Sequence, residues 1–138
     1  MTRAARPEDV DEIAGSLPDT EFGTSWGDRP TWKVPSGPKG KGFLLYRAPH
    51  RSATDPETGE LYDDLLVVHV PDQGAKQALL DGDNPFFDID HFRGFNAVLV
   101  QLSRLGEIER DELVEVITDA WASKAPKRLL RTYFGDDA

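Results

Sequence analysis

The order of strand and helix patterns predicts an α+β fold of two layers, in which helices pack on an antiparallel sheet of about four to five strands. Two apolar runs, "LLVVHVP" and "NAVLVQL", are typical of buried strands, and a turn-rich segment, "PSGPKGKG", separates two further strand patterns. Few long helices connect successive strands, which favours antiparallel pairing. No internal repeat or second core is evident, so residues 1–138 are predicted to form a single domain.

Periodicity and capping residues predict three helices. The first begins at Pro7, which suits a first helical position, and ends before Pro18. The second follows Asp72, a candidate N-cap, and stops at Gly82. The third covers "ERDELVEVITDAWASK", where an apolar stripe recurs at helical spacing: Leu113, Val116, Ile117, Ala120 and Trp121. After Pro126, "PKRLLRTYF" is predicted to form a short basic helix or turn.

The strands are predicted from alternation and from apolar runs. Trp32 and Val34 alternate with Thr31 and Lys33, as in a half-buried strand, and "FLLYR" completes a hairpin with a basic tip. "LLVVHVP" is apolar on both sides, which indicates a central or covered strand, and "FNAVLVQLSRL" indicates another. The segment before the hairpin is polar and contains glycine, and residues 48–63 are predicted to form a long polar loop.

The composition excludes cysteine-based chemistry and gives no sign of a membrane-spanning helix. Without cysteine, the chain has no disulfide, no thiolate nucleophile and no cysteine-based metal site. No apolar run approaches the roughly 18 residues of a membrane-spanning helix, and the first residues lack the apolar core of a secretory signal. We therefore expect a cytoplasmic protein that does not associate with membranes.

Charge is distributed unevenly along this acidic chain, whose net charge is −9. Six basic residues and no acid lie between Arg29 and Arg51, and four basic residues and no acid lie between Lys124 and Arg131. These two acid-free stretches hold 10 of the 16 lysines and arginines. If they meet in the fold, they form a basic face on an acidic body. The alternative is that each stretch is a separate solvated surface.

No motif in the chain points to catalysis, a metal or a bound cofactor. "GPKGKGF" lies between strands and lacks the ending of a phosphate-binding loop, and no "GxSxG" or "SxxK" pattern is present. "FFDIDHFRGF" contains Asp88, Asp90 and His91, but no second histidine or glutamate at a suitable spacing completes a ligand set. His69, within a strand, is predicted to be a packing or sheet-surface histidine. We expect no enzymatic activity; an acid/base role of His91 with Asp88 or Asp90 is the alternative.

Basic and aromatic residues are interleaved in "RPTWKVPSGPKGKGFLLYR", a pattern found in proteins that bind nucleic acid. Since Lys33 lies opposite Trp32 in an alternating strand, we expect the aromatic side chains in the core and the basic ones outside. Such a hairpin is suited to contacts with phosphates and is weak evidence for the reading of bases.

From "FFDIDHFRGFNAVLVQL" to "APKRLL" the chain resembles the MmcQ/YjbR-like family, in which a "PHF-x-GYPAVLVRL"-like segment leads into a helix ending "W-x-x-x-APKRL". The N-terminal half agrees, because "WGDRPTWKV" resembles the family's "WG-x-P-x-F-K-V" element and "GKGFLLY" follows it. The resemblance covers most of the chain apart from residues 48–63. Asp90 stands where a proline is often seen, and Phe95 and Asn96 replace a tyrosine and a proline.

The resemblance implies an architecture similar to that of type III secretion chaperones, in a double-wing domain expected to bind DNA. It also implies that Trp121 is a core residue and that Lys33, His91, Lys127 and Arg128 are exposed contacts. Together with the charge pattern, it gives the predicted contact set: Arg29, Lys33, Lys39, Lys41, Arg47, His91, Lys127 and Arg128. The implied partner is DNA. A protein-interaction or small-anion-binding module without nucleic acid is the alternative.

Overall fold

The structure is a computed structural model that describes residues 3–25, 29–37, 40–47, 58–59, 64–89 and 94–134. Five antiparallel strands form one sheet in which each strand pairs with its neighbours in sequence. They are β1 (Glu21–Ser25), β2 (Arg29–Val34), β3 (Lys41–Arg47), β4 (Leu65–His69) and β5 (Ala97–Gln101). The described helices are α1 (Pro7–Ser16), α2 (Gln73–Asp81), α3 (Arg110–Lys124) and α4 (Lys127–Phe134), with a 3-10 helix at Leu102–Glu107. The predicted α+β fold with an antiparallel sheet is confirmed.

A buried carboxylate joins the N-terminal segment, α1 and α3. Asp9 caps the start of α1 by accepting a hydrogen bond from the backbone N–H of Arg6 (2.9 Å). It also accepts one from Arg3 Nη2 (2.7 Å) and lies 3.5 Å from Arg110 Nε at the start of α3. The Arg3 hydrogen bond is the main reason that the pKa of Asp9 falls to about 2. This buried side chain is therefore ionised at neutral pH.

The main core lies between the helices and one face of the sheet. Trp121 of α3 and Val10 of α1 are fully buried in it, together with Leu44 of β3. A close approach brings α1 against β2, because a Cβ atom at Gly15 would lie only 3.3 Å from the Trp32 ring. Glycine at this helical position therefore makes room for the indole.

A smaller apolar cluster covers the opposite face of the sheet. Leu65 and Val67 of β4 and Leu99 of β5 are buried there, and Phe87 and Ile89 pack on them. Phe87 and Leu99 exchange two backbone hydrogen bonds of 2.9 Å, which close part of the outer edge of β5. β4 is thus central and buried on both faces, as its apolar sequence predicts.

The predicted helices agree with the structure. Pro7 is the first residue of α1. Asp72 caps α2 by accepting a hydrogen bond from the backbone N–H of Ala75 (2.8 Å), and Gly82 follows the end of that helix. In α3, Val116 of the predicted apolar stripe is only partly buried. The other four members are buried: Leu113, Ile117, Ala120 and Trp121.

Two strand predictions differ from the structure. β1 was not predicted, because "EFGTS" is polar, contains glycine and forms an edge strand that pairs only with β2. The last strand ends at Gln101, whereas the apolar pattern continues to Leu105; there the chain forms the 3-10 helix instead. Most of the predicted 48–63 loop and the tip of the β2–β3 hairpin lie outside the described residues.

Candidate functional site

The structure describes the side chains of four of the eight predicted contact residues: Lys33, Lys41, Lys127 and Arg128. For two more it describes the backbone alone: Arg29 and Arg47. The remaining two lie outside the described residues: Lys39 and His91. The arrangement of the first four decides whether the two acid-free stretches meet.

Asp19 brings the two acid-free stretches together. Its carboxylate accepts a hydrogen bond from Ser36 Oγ (2.6 Å) in the first stretch and from Arg128 Nη2 (3.2 Å) in the second. The Ser36 hydrogen bond, together with the Arg128 guanidinium, lowers the pKa of Asp19. We call these three residues the Asp19 junction. The two stretches therefore adjoin in the fold, with a carboxylate between them.

Core contacts fix the backbone at the Asp19 junction. Asp19 has a positive φ of 54°, a left-handed conformation that aspartate adopts more readily than most residues. The carbonyl oxygen of Pro18, just before it, accepts a hydrogen bond from Trp121 Nε1 (3.0 Å). The Trp121 ring also packs on Tyr133 of α4, with ring centroids 5.1 Å apart. Trp121 thus positions both the Asp19 turn and α4.

The basic side chains around the Asp19 junction face solvent. Lys127 and Arg128 open α4 after Pro126, and both are exposed; Arg128 keeps 66% of its side chain accessible despite its ion pair. Because surface ion pairs contribute only about 0–1 kcal/mol, another anion can take the place of Asp19 on Arg128. The position is therefore suited to an exchangeable anion contact.

The side chains of Lys33 and Lys41 project from opposite sides of the β2–β3 hairpin. Lys33 pairs with Gly42, while Lys41 pairs with the core residue Val34. Since paired residues share a face of the sheet, Lys41 lies on the helix side and Lys33 on the other side. Lys33 also pairs with Glu21 of β1. Of the two lysines, Lys41 is thus the one on the same side as α4.

Arg29 and Arg47 lie at the other end of the hairpin. Thr31 pairs with Leu45, which places the backbones of Arg29 and Arg47 two residues farther along, at the end of the hairpin opposite Lys41. The predicted contact set is therefore spread along the whole length of the hairpin.

The aromatic residues of the hairpin are engaged with α1. Trp32 Nε1 and Tyr46 Oη each donate a hydrogen bond of 2.8 Å to Asp11 Oδ1. Burial, reinforced by the Asp11 hydrogen bond, raises the pKa of Tyr46 above its usual range. Phe22 of β1 is exposed and packs edge-on against Trp32. These contacts fit the expectation that the aromatic side chains face the helices while Lys33 points away from them.

Lys76 of α2 is a buried charge that the sequence did not indicate. Its side chain is 3% exposed, and Nζ donates a hydrogen bond to the carbonyl oxygen of Phe95 (2.9 Å) and lies 3.2 Å from Asp88 Oδ2. These two partners flank residues 90–93, so Lys76 holds both ends of the segment that contains His91. The lysine in "GAKQALL" gives no sign of burial, because helical lysines normally face solvent.

His69 at the end of β4 is mostly buried. Burial, with a smaller effect from the positive charge of Lys124, lowers the pKa of His69 to about 4. The imidazole is therefore neutral at pH 7, which agrees with a packing role.

Two features are absent from the described part of the chain. No group of three or more histidines and carboxylates there is placed to hold a metal ion. Within those same residues, no helix is both long and apolar enough to cross a membrane.

Comparison with known proteins gives a family but no solved structure. The YjbR family model matches residues 15–123. Uncharacterized protein Rv2570 of Mycobacterium tuberculosis (strain H37Rv) and uncharacterized protein Mb2600 of Mycobacterium bovis are each 34% identical to this chain over 139 residues. Each alignment covers 94% of this chain and 95% of the relative. No solved structure matches.

The five-stranded sheet with helices on its main core face defines a small α+β protein. The family match extends over most of its length. The chain belongs to the YjbR family, as its sequence resemblance indicated.

Proposed function

We propose that this protein is a noncatalytic, cytoplasmic DNA-binding protein that contacts the phosphate backbone of duplex DNA through the basic side chains around the Asp19 junction. The observation that carries the proposal is the junction itself, because Ser36 and Arg128 share one carboxylate. That contact places the start of α4 beside the β2–β3 turn. Basic side chains from both acid-free stretches can therefore contact one polyanion.

The centre of the proposed interface consists of Lys41, Lys127 and Arg128. Lysine and arginine contacts to phosphates give affinity without sequence preference. The remaining predicted contacts are proposed as outer contacts, with Lys33 on the opposite side of the hairpin from Lys41: Arg29, Lys33, Lys39, Arg47 and His91. The proposal involves no cofactor and no catalytic residue.

The experiment is a titration of fluorescently labelled duplex DNA at low salt, followed by anisotropy. Lys41→Glu, Lys127→Glu and Arg128→Glu should each weaken binding. Each should also reduce the slope of log affinity against log salt by about 1, as expected for the loss of one phosphate contact.

Arg104→Glu is the matched control. Arg104 is 51% exposed and follows the end of β5 that pairs with Leu65, at the opposite end of the sheet from Lys41. Its reversal makes the same change in net charge and should alter affinity less than the three test variants. The proposal fails if no binding occurs at low salt, or if all four reversals weaken binding equally.

The alternative is a protein-interaction or small-anion-binding module without nucleic acid. It is favoured by the occupied state of Arg128, whose partner Asp19 is an acid of the kind that an acidic peptide would supply. Affinity purification from nuclease-treated extract separates the two. A partner retained after nuclease treatment, and lost in Arg128→Glu, supports the alternative; disappearance of every partner after nuclease counts against it.

A further inference from the structure

An apolar cleft opens between α2 and α3 and shares no residue with the Asp19 junction. It has a volume of about 230 Å³, and we call it the α2–α3 cleft. Its walls come from one face of α2, the chain after β4 and the partly buried side of α3. The lining residues are Val70, Pro71, Ala75, Ala78, Leu79, Val116 and Asp119.

The size and lining of the α2–α3 cleft limit what it can hold. Pockets for cofactors and drug-sized molecules usually measure about 300–1,000 Å³, so this cleft is smaller than most of them. Among the residues that line it, Asp119 alone has a polar side chain. A cleft of this kind accommodates one or two apolar side chains and offers a carboxylate to whatever lies next to them.

The rim of the α2–α3 cleft is acidic. Glu112 lies one turn before Val116 on α3, and Asp119 lies one turn after it, so carboxylates border the apolar wall on both sides. Both side chains are exposed, as is that of Glu115. No lysine or arginine occurs between residues 111 and 123. On α2, Lys76 is buried against Asp88 and does not line the cleft.

We propose that the α2–α3 cleft docks a cationic amphipathic peptide segment of a partner protein. An apolar side chain of the segment enters the cleft, and arginine or lysine side chains on either side of it meet Asp119 and Glu112. Helical segments bind in this way when apolar anchors recur at helical spacing. Complementarity of charge selects this occupant, because a carboxylate rim repels nucleic acid, acidic peptides and anionic lipid.

The test uses a short acetylated and amidated peptide with leucines at helical spacing and arginines at the other positions. It is titrated into the ¹⁵N-labelled full-length protein, and amide chemical shifts are followed. We expect saturable shifts concentrated at Ala75, Ala78, Val116 and Asp119, and weaker binding as salt rises. A matched peptide, with glutamate in place of each arginine, should leave these amides unchanged.

Two variants test whether the peptide binds in the α2–α3 cleft. Ala78→Trp fills the cleft from an exposed helical position and should abolish the shifts. Asp119→Asn removes one carboxylate and should weaken binding by about two- to fivefold, as expected for a partly exposed ion pair. Glu107→Gln is the control, because it makes the same change in charge on the 3-10 helix, outside the cleft, and should leave binding unchanged.

Four results would overturn the proposal. The absence of shifts at the cleft amides is one, and equal binding of the glutamate peptide is another. Undiminished binding by Ala78→Trp places the peptide elsewhere on the protein. Shifts of the same amides that depend on protein concentration without peptide identify a second copy of this chain as the occupant. DNA binding has no bearing on these outcomes, since the Asp19 junction contributes no lining residue.

Discussion

The Asp19 junction and the α2–α3 cleft are two surfaces of opposite character on one small protein. The first is polar, with basic side chains around one carboxylate; the second is apolar, with carboxylates around its rim. Both depend on α3, since Trp121 anchors the turn of the junction and Val116 lines the cleft. The difference shows that a net charge of −9 describes neither surface, because charges of each sign are concentrated in separate places.

Trp121→Ala is expected to have the largest effect on stability, because it should destabilise the α3 helix on which both surfaces depend. The side chain is fully buried and donates to the Pro18 carbonyl, so its loss should lower the free energy of unfolding by about 3–5 kcal/mol. Urea denaturation measures this change. Trp121→Phe keeps an aromatic ring without the Pro18 hydrogen bond and should cost less. An unchanged denaturation midpoint for Trp121→Ala would show that α3 does not support both surfaces.

As the pH falls, the residues beside the α2–α3 cleft should respond at a higher pH than those of the Asp19 junction, because the pKa of His69 is about 4 and that of Asp19 is lowered from 3.8. With its pKa lowered from 6.5 to about 4, folded His69 binds fewer protons than the unfolded chain between these values. Stability therefore falls as pH drops from about 6.5 towards 4, by at most about 3 kcal/mol. His69 directly precedes Val70 of the cleft, so the Val70 amide of the folded protein should shift only as the pH approaches 4, where folded His69 takes up its proton.

His69→Gln provides the control for this pH dependence. The variant has no imidazole to protonate, so denaturation at pH 7 and pH 5 should give a smaller difference in stability than in the wild type. If both proteins lose the same stability between these pH values, another group causes the loss.

Lys76→Met should loosen the α2 side of the cleft and affect DNA binding only through the segment that contains His91. It leaves Asp88 and the Phe95 carbonyl without the lysine, which should cost about 1–3 kcal/mol of stability. Asp88 is 22% exposed, so water limits the cost. A double-mutant cycle with Asp88→Asn measures the pair itself. Weaker DNA binding by Lys76→Met than by His91→Ala, at temperatures where both stay folded, would show that the two surfaces are coupled.

Asp19→Asn should have the smallest effect on stability and the clearest effect on binding. Asparagine adopts the left-handed backbone and still accepts from Ser36, so the exposed ion pair with Arg128 is the main loss, about 0–1 kcal/mol. DNA affinity should rise, since Arg128 is released and one negative charge is removed. Peptide binding at the α2–α3 cleft should stay the same. A fall in DNA affinity would mean that Asp19 orients Arg128 instead of competing for it.

The elements with regular apolar patterns could be predicted from the sequence, and the polar ones could not. β4 and α3 carry enough buried residues for their periodicity to identify them. β1 has no such signal, because Glu21–Ser25 is an edge strand whose formation depends on pairing with β2. The Asp72 cap and the Pro7 start of α1 were predictable because both depend on residues close in sequence.

The candidate sites depended on contacts between distant residues. The charge pattern indicated which stretches were basic, but their meeting at Asp19 joins residues far apart in the chain. Lys33 and Lys41 looked equivalent in sequence, whereas the register of β2 and β3 puts them on opposite sides. The apolar stripe of α3 was predicted as core, and the structure leaves Val116 at the surface to line the α2–α3 cleft.

The two partners of Lys76 differ in how far they depend on the sequence. One of its partners is the backbone carbonyl of Phe95, which every residue type provides, and the other is the Asp88 carboxylate. Substitution of Asp88 therefore leaves Lys76 its backbone contact, whereas substitution of Lys76 removes both contacts at once.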